Sequence, residues 1–342
     1  MIRRLVALVL VLAVAAALLL ALWPQVLDLE REWPLAQLVS FRGAAAVVAV
    51  GLAVVLFVVG LVARPVRSLA ASIAVLLLVF GAVSGGVVGA RGLGRDAFVE
   101  ASPGDVTVLS WNTLGGAPGA AAIAELAVAE GAEVVSLPET DDVVAQAVAD
   151  AMGVAGLPMA RFTVTYDDVP TSKPTSMLVS TALGEYTVAR DEAGAAVETT
   201  PAMPSLVATP VSGTGPTFIA AHPAAPVRAD MDEWRDGLGY LADACRTGDV
   251  VMAGDFNATL DHMADMGRAG GALGRCRDAA VATANGGVGT WPTDLPPLLG
   301  TTIDHVMATR QWLPTGFRVV TDHDEAGSDH RPVVAQLSPT GA

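Results

Sequence analysis

A chain of 342 residues, 52% of them hydrophobic, with a formal net charge of −15, is too long for one small domain and richer in apolar residues than most soluble enzymes. The charge is divided: residues 1–95 hold 8 Lys/Arg and 3 Asp/Glu, a net +5, whereas residues 96–342 hold 12 and 32, a net −20. Duplex nucleic acid is held mainly by Lys/Arg contacts to phosphates, so the acidic part offers no broad surface for it, and the two parts belong to different surroundings.

Three uncharged apolar runs fill the first part, at about 5–22, 44–63 and 68–90. Each can cross a hydrocarbon core about 30 Å thick at 1.5 Å per residue, which predicts three transmembrane helices in a membrane region over residues 1–91. Trp23 and Trp33 fall near the ends of the first connection, where interfacial aromatic residues belong. Arg3 and Arg4 argue for a cytoplasmic start, and Arg64 and Arg67 for a cytoplasmic second connection. Three crossings then place everything after residue 90 outside. Arg31, Arg42, Arg91 and Arg95 run against this orientation, because they would lie on the outer side. A cleaved signal peptide over residues 1–22 is the competing reading, although Ala21-Leu22-Trp23-Pro24 makes a poor cleavage site. Both readings leave the acidic part extracytoplasmic. The spans hold no Asp, Glu, Lys, Arg or His, so anchoring is expected rather than ion transport. An oxidising compartment permits a disulfide between Cys245 and Cys276; two buried free thiols are the alternative.

Residues 92–104 read as a linker. Strands are predicted at 106–111 and 133–137, each followed by a helix, at 120–130 and 141–152, which suggests a layered α/β domain. Shorter strands at 161–166, 176–180, 185–190 and 206–210 suit an antiparallel portion. Strands at 217–221, 249–253, 303–309 and 332–337 and a helix over 227–245 complete the pattern.

Polar residues gather where these strands end. Hydrolysis of a phosphate ester needs charge neutralised on the phosphoryl oxygens, a water that is aimed and deprotonated, and a stabilised leaving oxygen. Glu139 follows a buried-looking strand and suits a hard cation, although acids also open helices. Asn112 ends the first strand, where a turn residue is the ordinary alternative. Gly254-Asp255-Phe256-Asn257 is the strongest local motif: glycine lets the chain turn, Asp255 and Asn257 point one way, and Phe256 turns inward. His222 and His330 are the candidate imidazoles, Asp304 orients one of them, and Asp329 adds to the metal shell. His262, His305 and His323 are read as structural. Thr290-Trp291-Pro292 is either a pocket wall or core.

The set Trp111-Asn112, Glu139, His222, Gly254-Asp255-Phe256-Asn257, Ile303-Asp304-His305 and Ser328-Asp329-His330-Arg331-Pro332 resembles the endonuclease/exonuclease/phosphatase family over about residues 105–338. The resemblance implies a four-layer α/β sandwich, with two central mixed sheets flanked by helices. It implies Glu139 as the main Mg²⁺ ligand (Mn²⁺ substituting), helped by Asn112 and Asp329. Asp255 would activate water, Asn257 bind the phosphoryl or leaving oxygen, His222 donate to the phosphate, and His330, oriented by Asp304, complete the acid/base pair. Some family members carry an acid shortly after the first Asn, where Thr113 and Leu114 stand here.

The expected function is therefore a divalent-metal-dependent phosphodiesterase or phosphatase on the outer side of a membrane. A small or lipid-borne phosphoester fits it better than nucleic acid, since a −20 surface repels polyanions. The alternatives are a non-catalytic ligand- or partner-binding module on the same fold and an extracytoplasmic nuclease. No protein partner is read from the sequence.

Overall fold

The computed structural model describes residues 2–166, 169, 172–190 and 197–341. The three apolar runs are helices: α1 (Ile2–Leu22), α3 (Arg42–Val62) and α4 (Arg67–Arg91), long and apolar enough to cross a membrane. A short helix absent from the sequence reading, α2 (Leu35–Ser40), lies in the connection between α1 and α3.

Among the described residues, twelve strands form two six-stranded sheets. The first sheet contains β1 (Val106–Ser110), β2 (Val134–Pro138), β3 (Met159–Val164), β4 (Thr175–Ser180), β11 (Trp312–Val319) and β12 (Val333–Pro339), in the order β11-β12-β1-β2-β4-β3. The second contains β5 (Tyr186–Val188), β6 (Leu206–Pro210), β7 (Thr217–Ala221), β8 (Val250–Asp255), β9 (Arg277–Asp278) and β10 (Asp304–Ala308), in the order β5-β6-β7-β8-β10-β9. Only β1–β2 and β7–β8 are parallel pairs, so both sheets are mixed.

Alternating apolar side chains dictate the layering. Val108, Val134, Met177 and Phe218 pack between the sheets with Val251 and Val306. The opposite face of the first sheet is covered by α5 (Gly119–Ala129) and α6 (Asp142–Val154), through Ile123, Leu126, Val148 and Met152. The second sheet is covered by α7 (Met231–Ala244), whose Trp234, Leu238 and Leu241 fall on one helical stripe. This is the expected four-layer sandwich. The predicted helix over 227–245 begins later, at Met231, behind a turn at Asp230. Strand β11 was not predicted; Pro314 and Gly316 flank a register shift that breaks its alternation. A one-turn helix, α8 (Ala279–Ala282), follows β9. Cys245 and Cys276 form a disulfide with 5.7 Å between their Cα atoms.

The start of α3 and the end of α4 meet the sandwich at Asp261. Asp261 accepts from Arg42 Nε and Nη2 at 2.9 and 2.8 Å and from Arg91 Nη1 and Nη2 at 2.8 and 2.9 Å. Burial pushes the Asp261 carboxyl up, but the hydrogen bonds and charges of Arg42 and Arg91 outweigh it and bring it down to about 2. Two of the four arginines that run against a simple charge rule, Arg42 and Arg91, thus share one carboxylate of the sandwich. Arg3, Arg4, Pro65 and Val66 line one hollow at the other end.

Because its folded value lies below the unfolded one, the ionised Asp261 contributes stability that is complete above the ordinary carboxylate range and lost as pH falls toward about 2. Asp261→Ala leaves Arg42 buried without its partner, so unfolding free energy in detergent micelles is expected to fall by about 3–5 kcal/mol at neutral pH. An unchanged denaturation midpoint would show that this cluster does not hold the parts together.

Candidate active site

The sheets deliver their polar residues to a common edge. Parallel strands β1, β2, β7 and β8 end there, at Asn112, Glu139, His222 and Asp255. Antiparallel β10 starts there, with Asp304 opposite Asp255, and β12 starts just after His330, with Val333 opposite Ser110. Glu139, His222, Asp255, Asn257 and His330 line one cavity of about 360 Å³.

A single amide links the two key acids. Asn112 Nδ2 donates to Asp255 Oδ2 at 3.0 Å and to Glu139 Oε1 at 3.3 Å, while its Oδ1 accepts from Leu114 N at 3.0 Å. Glu139 takes a left-handed backbone conformation (φ 54°), uncommon for a non-glycine residue. Thr113 holds it there, its hydroxyl donating to Glu139 O at 3.1 Å and its N–H to Pro138 O at 3.1 Å. Thr113, one of the two residues following Asn112 that stand in place of an acid, thus positions backbone.

Asp255 also accepts from Asn257 N at 2.8 Å. Asn257, itself left-handed at φ 48°, donates its Nδ2 to Pro223 O at 3.1 Å. Phe256 is fully buried, as its inward turn predicts. Gly254 is required by its neighbour: a Cβ there would lie 2.0 Å from Ala221 O on β7.

His330 Nδ1 lies 2.9 Å from Asp304 Oδ2, and its Nε2 lies 3.7 Å from Asp255 Oδ2 and 4.0 Å from Asp329 Oδ1. Burial pulls the His330 imidazolium down, but Asp304 and Asp255 overcome it and raise it. Asp255 is raised by its own burial, against the pull of His330. His222 is pushed down to about 3 by burial and by the charge of His330. It is therefore neutral, with Nδ1 2.9 Å from Thr175 Oγ1. Asp304 is seated by Thr290, whose hydroxyl accepts from Asp304 N at 3.1 Å. Asp329 Oδ2 accepts from Trp291 Nε1 at 2.8 Å, whereas its Oδ1 is buried without a hydrogen-bond partner.

Every candidate residue thus falls at this edge, including Asn112, Asp304 and Asp329 behind the cavity lining. Asp255, Asp304 and His330 place ligand-type atoms within 4.8 Å of one another. Asp304 is committed to His330, however, so Glu139, Asp255 and the unpaired oxygen of Asp329 are the acids left needing positive charge. Carboxylate oxygens suit a hard divalent cation, but among the described residues these three do not themselves form a group within 4.8 Å. Asn112 faces them with its nitrogen, so serving as a ligand requires its amide to turn.

Residues 109–330 match the model of the Endonuclease/Exonuclease/phosphatase family. The chain belongs to that family. Members of the endonuclease/exonuclease/phosphatase family are metal-dependent phosphoesterases. Comparison with curated proteins yields no significant match. Among solved structures, an endonuclease/exonuclease/phosphatase from Beutenbergia cavernae DSM 12333 is 21% identical with a TM-score of 0.53, covering 70% of this chain and 72% of its own. Another from Bacteroides vulgatus is 16% identical with a TM-score of 0.50, covering 69% of this chain and 99% of its own. A humanized D. rerio TDP2 is 17% identical with a TM-score of 0.50 and the same two coverages. These likenesses concern the family's fold.

Residues the sequence reading missed also shape the site. Thr175 holds His222, and no motif marks it. Arg331, quoted in the motif without a role, is buried and pairs with Asp324 at 2.7 Å while donating to the carbonyls of Pro292, Thr293 and Leu295. It fixes the loop that carries Trp291, which lines the cavity. Gln37, Ser40 and Phe41, from the connection between α1 and α3, line it too.

Gly254→Ala forces β7 and β8 apart at the site and is expected to cost about 3 kcal/mol of stability. Thermal denaturation of the full-length variant checks this, and an unchanged midpoint would mean that the strands tolerate a methyl group there.

Proposed function

We propose that this chain is a Mg²⁺-dependent phosphoester hydrolase (Mn²⁺ substituting), anchored by three membrane helices with the sandwich outside, and that residues 105–338 form its catalytic unit. The observation that carries this reading is the Asn112 amide shared by Glu139 and Asp255, beside the Asp304–His330 pair on one cavity.

In this reading Glu139 is the main metal ligand, with Asn112 and Asp329 beside it. The cation, when bound, supplies charge neutralisation at the phosphoryl oxygens. Asp255, kept basic by burial and aimed by Asn112 and Asn257, takes the proton of the attacking water. His330, cationic through Asp304, donates Nε2–H to a phosphoryl oxygen. His222 is neutral; with the Thr175 hydroxyl donating to Nδ1, its proton sits on Nε2 and serves as a second donor. The remaining Asn257 N–H stabilises the leaving oxygen.

The acidic surface favours a small or lipid-borne ester over nucleic acid. The orientation is supported by Arg3, Arg4, Arg64 and Arg67, which lie in the N-terminal segment and the second connection, away from the docked sandwich.

Full-length protein in detergent micelles is expected to hydrolyse bis-p-nitrophenyl phosphate only with Mg²⁺ or Mn²⁺, and Asp255→Ala to lower kcat by about a thousandfold. Glu139→Gln is expected to remove the rise in melting temperature that Mn²⁺ gives the parent. Metal-independent binding without turnover across a substrate panel would instead favour the non-catalytic module. For topology, a C-terminal alkaline phosphatase fusion should be active and a fluorescent-protein fusion dark; the reverse result would overturn the orientation.

A further inference from the structure

One wall of the cavity does not come from the sandwich. Gln37, Ser40 and Phe41 stand on α2 and at its end, between two membrane helices. This wall is fixed in place. Ala36 is fully buried in the core beneath α7. His262 Nδ1 accepts from Thr259 N at 2.9 Å, which leaves the proton on Nε2 to be donated to Ala36 O at 2.9 Å. Burial keeps His262 neutral, down to about 4. Arg31 donates to His262 O at 2.7 Å and Ala264 O at 3.0 Å, and Gln37 donates to Pro226 O. The segment that grips α2, residues 259–264, begins two positions after Asn257.

The cavity has two chemically different ends. Glu139, His222, Asp255, Asn257 and His330 make one end polar. Much of the remaining lining is apolar: the Phe41 ring lies 5.9 Å from that of Trp291, and Met203, Pro226, Val227 and Ile303 join them, with Gln37, Ser40 and Thr301 as the polar exceptions. Trp291 in turn lies 6.4 Å from the His330 ring, so the apolar end adjoins the polar one. A phosphoryl group uses only the polar end. The apolar end would stay wetted at a cost unless the alcohol of the ester covers it. Val227 of this apolar lining is half-exposed, as are Trp33 and Leu38 in the connection that carries Phe41.

We propose that Phe41, together with Trp291, is the specificity-determining wall of this site, and that the substrate is a phosphoester whose alcohol carries an apolar chain. The inference rests on the phosphoesterase reading and adds the substrate class and the residues that select it. The site is incomplete without the membrane region.

The test uses full-length protein in phosphatidylcholine nanodiscs with Mn²⁺ and titrates methyl-, butyl- and hexylphosphonate by calorimetry. Affinity is expected to rise about threefold to fourfold for each methylene that reaches the wall. Phe41→Ala should flatten the series, and Phe41→Leu should retain the rise. A flat series in the parent overturns the inference, as does a Phe41→Ala variant that weakens methyl- and hexylphosphonate alike. Turnover is measured separately: a chain-length dependence without hydrolysis of any ester would sink the enzyme reading while leaving the wall's chemistry in place. Doping the discs with phosphatidic acid separates the sources. Competition with hexylphosphonate identifies a lipid as the bearer of the chain, and its absence identifies a diffusible ester; both support the shared chemistry.

Discussion

Burying several carboxylates together is unfavourable unless each is answered by a donor or a cation, and that constraint organises the whole sandwich edge. Asn112 answers two acids with one amide. Asp304 is answered by the His330 imidazole, and Asp255 by the Asn257 N–H as well. Each of these donors has a fixed place only because the strands bearing them stop at the same level. The close approach of Gly254 to Ala221, the Thr113 hold on Glu139 and the Thr290 seat for Asp304 are means of keeping that level. The acid oxygens that remain unanswered define where positive charge belongs.

The second organising contact is electrostatic too, and it joins the sandwich to the apolar helices. Arg42 and Arg91 stand at the ends of apolar helices that face the sandwich. Asp261 pairs with both. Charge counting along such a sequence treats every arginine alike, whereas these two share an acid more than 160 residues away.

Much of the site was legible in the sequence because its chemistry is concentrated in short segments at strand ends. An apolar run stopping at Gly254-Asp255-Phe256-Asn257 fixes both the strand and the direction of its side chains. The family resemblance then supplied the assembly of segments that spacing alone could not. What was not legible lacked a local signal. Strand β11 carries a proline and a glycine at its register shift. Helix α2 has only six residues and is held by contacts to residues 226 and 259–264. Thr175 reads as an ordinary strand residue until β7 brings His222 against it. Tertiary partners, rather than propensity, decide such elements.

The bond between Cys245 and Cys276 spans 31 positions. Strand β8, Asp255, Asn257, Asp261 and His262 all lie inside that interval. The bridge therefore closes a covalent ring around both the Asp255–Asn257 loop and the segment that grips α2. A protease that nicks the backbone within the ring leaves the two pieces tethered, and reductant is needed as well to release them. Cleavage at any one point of this interval therefore leaves Asp255, Asn257 and the segment that holds α2 joined to the rest of the chain until the bridge is also reduced.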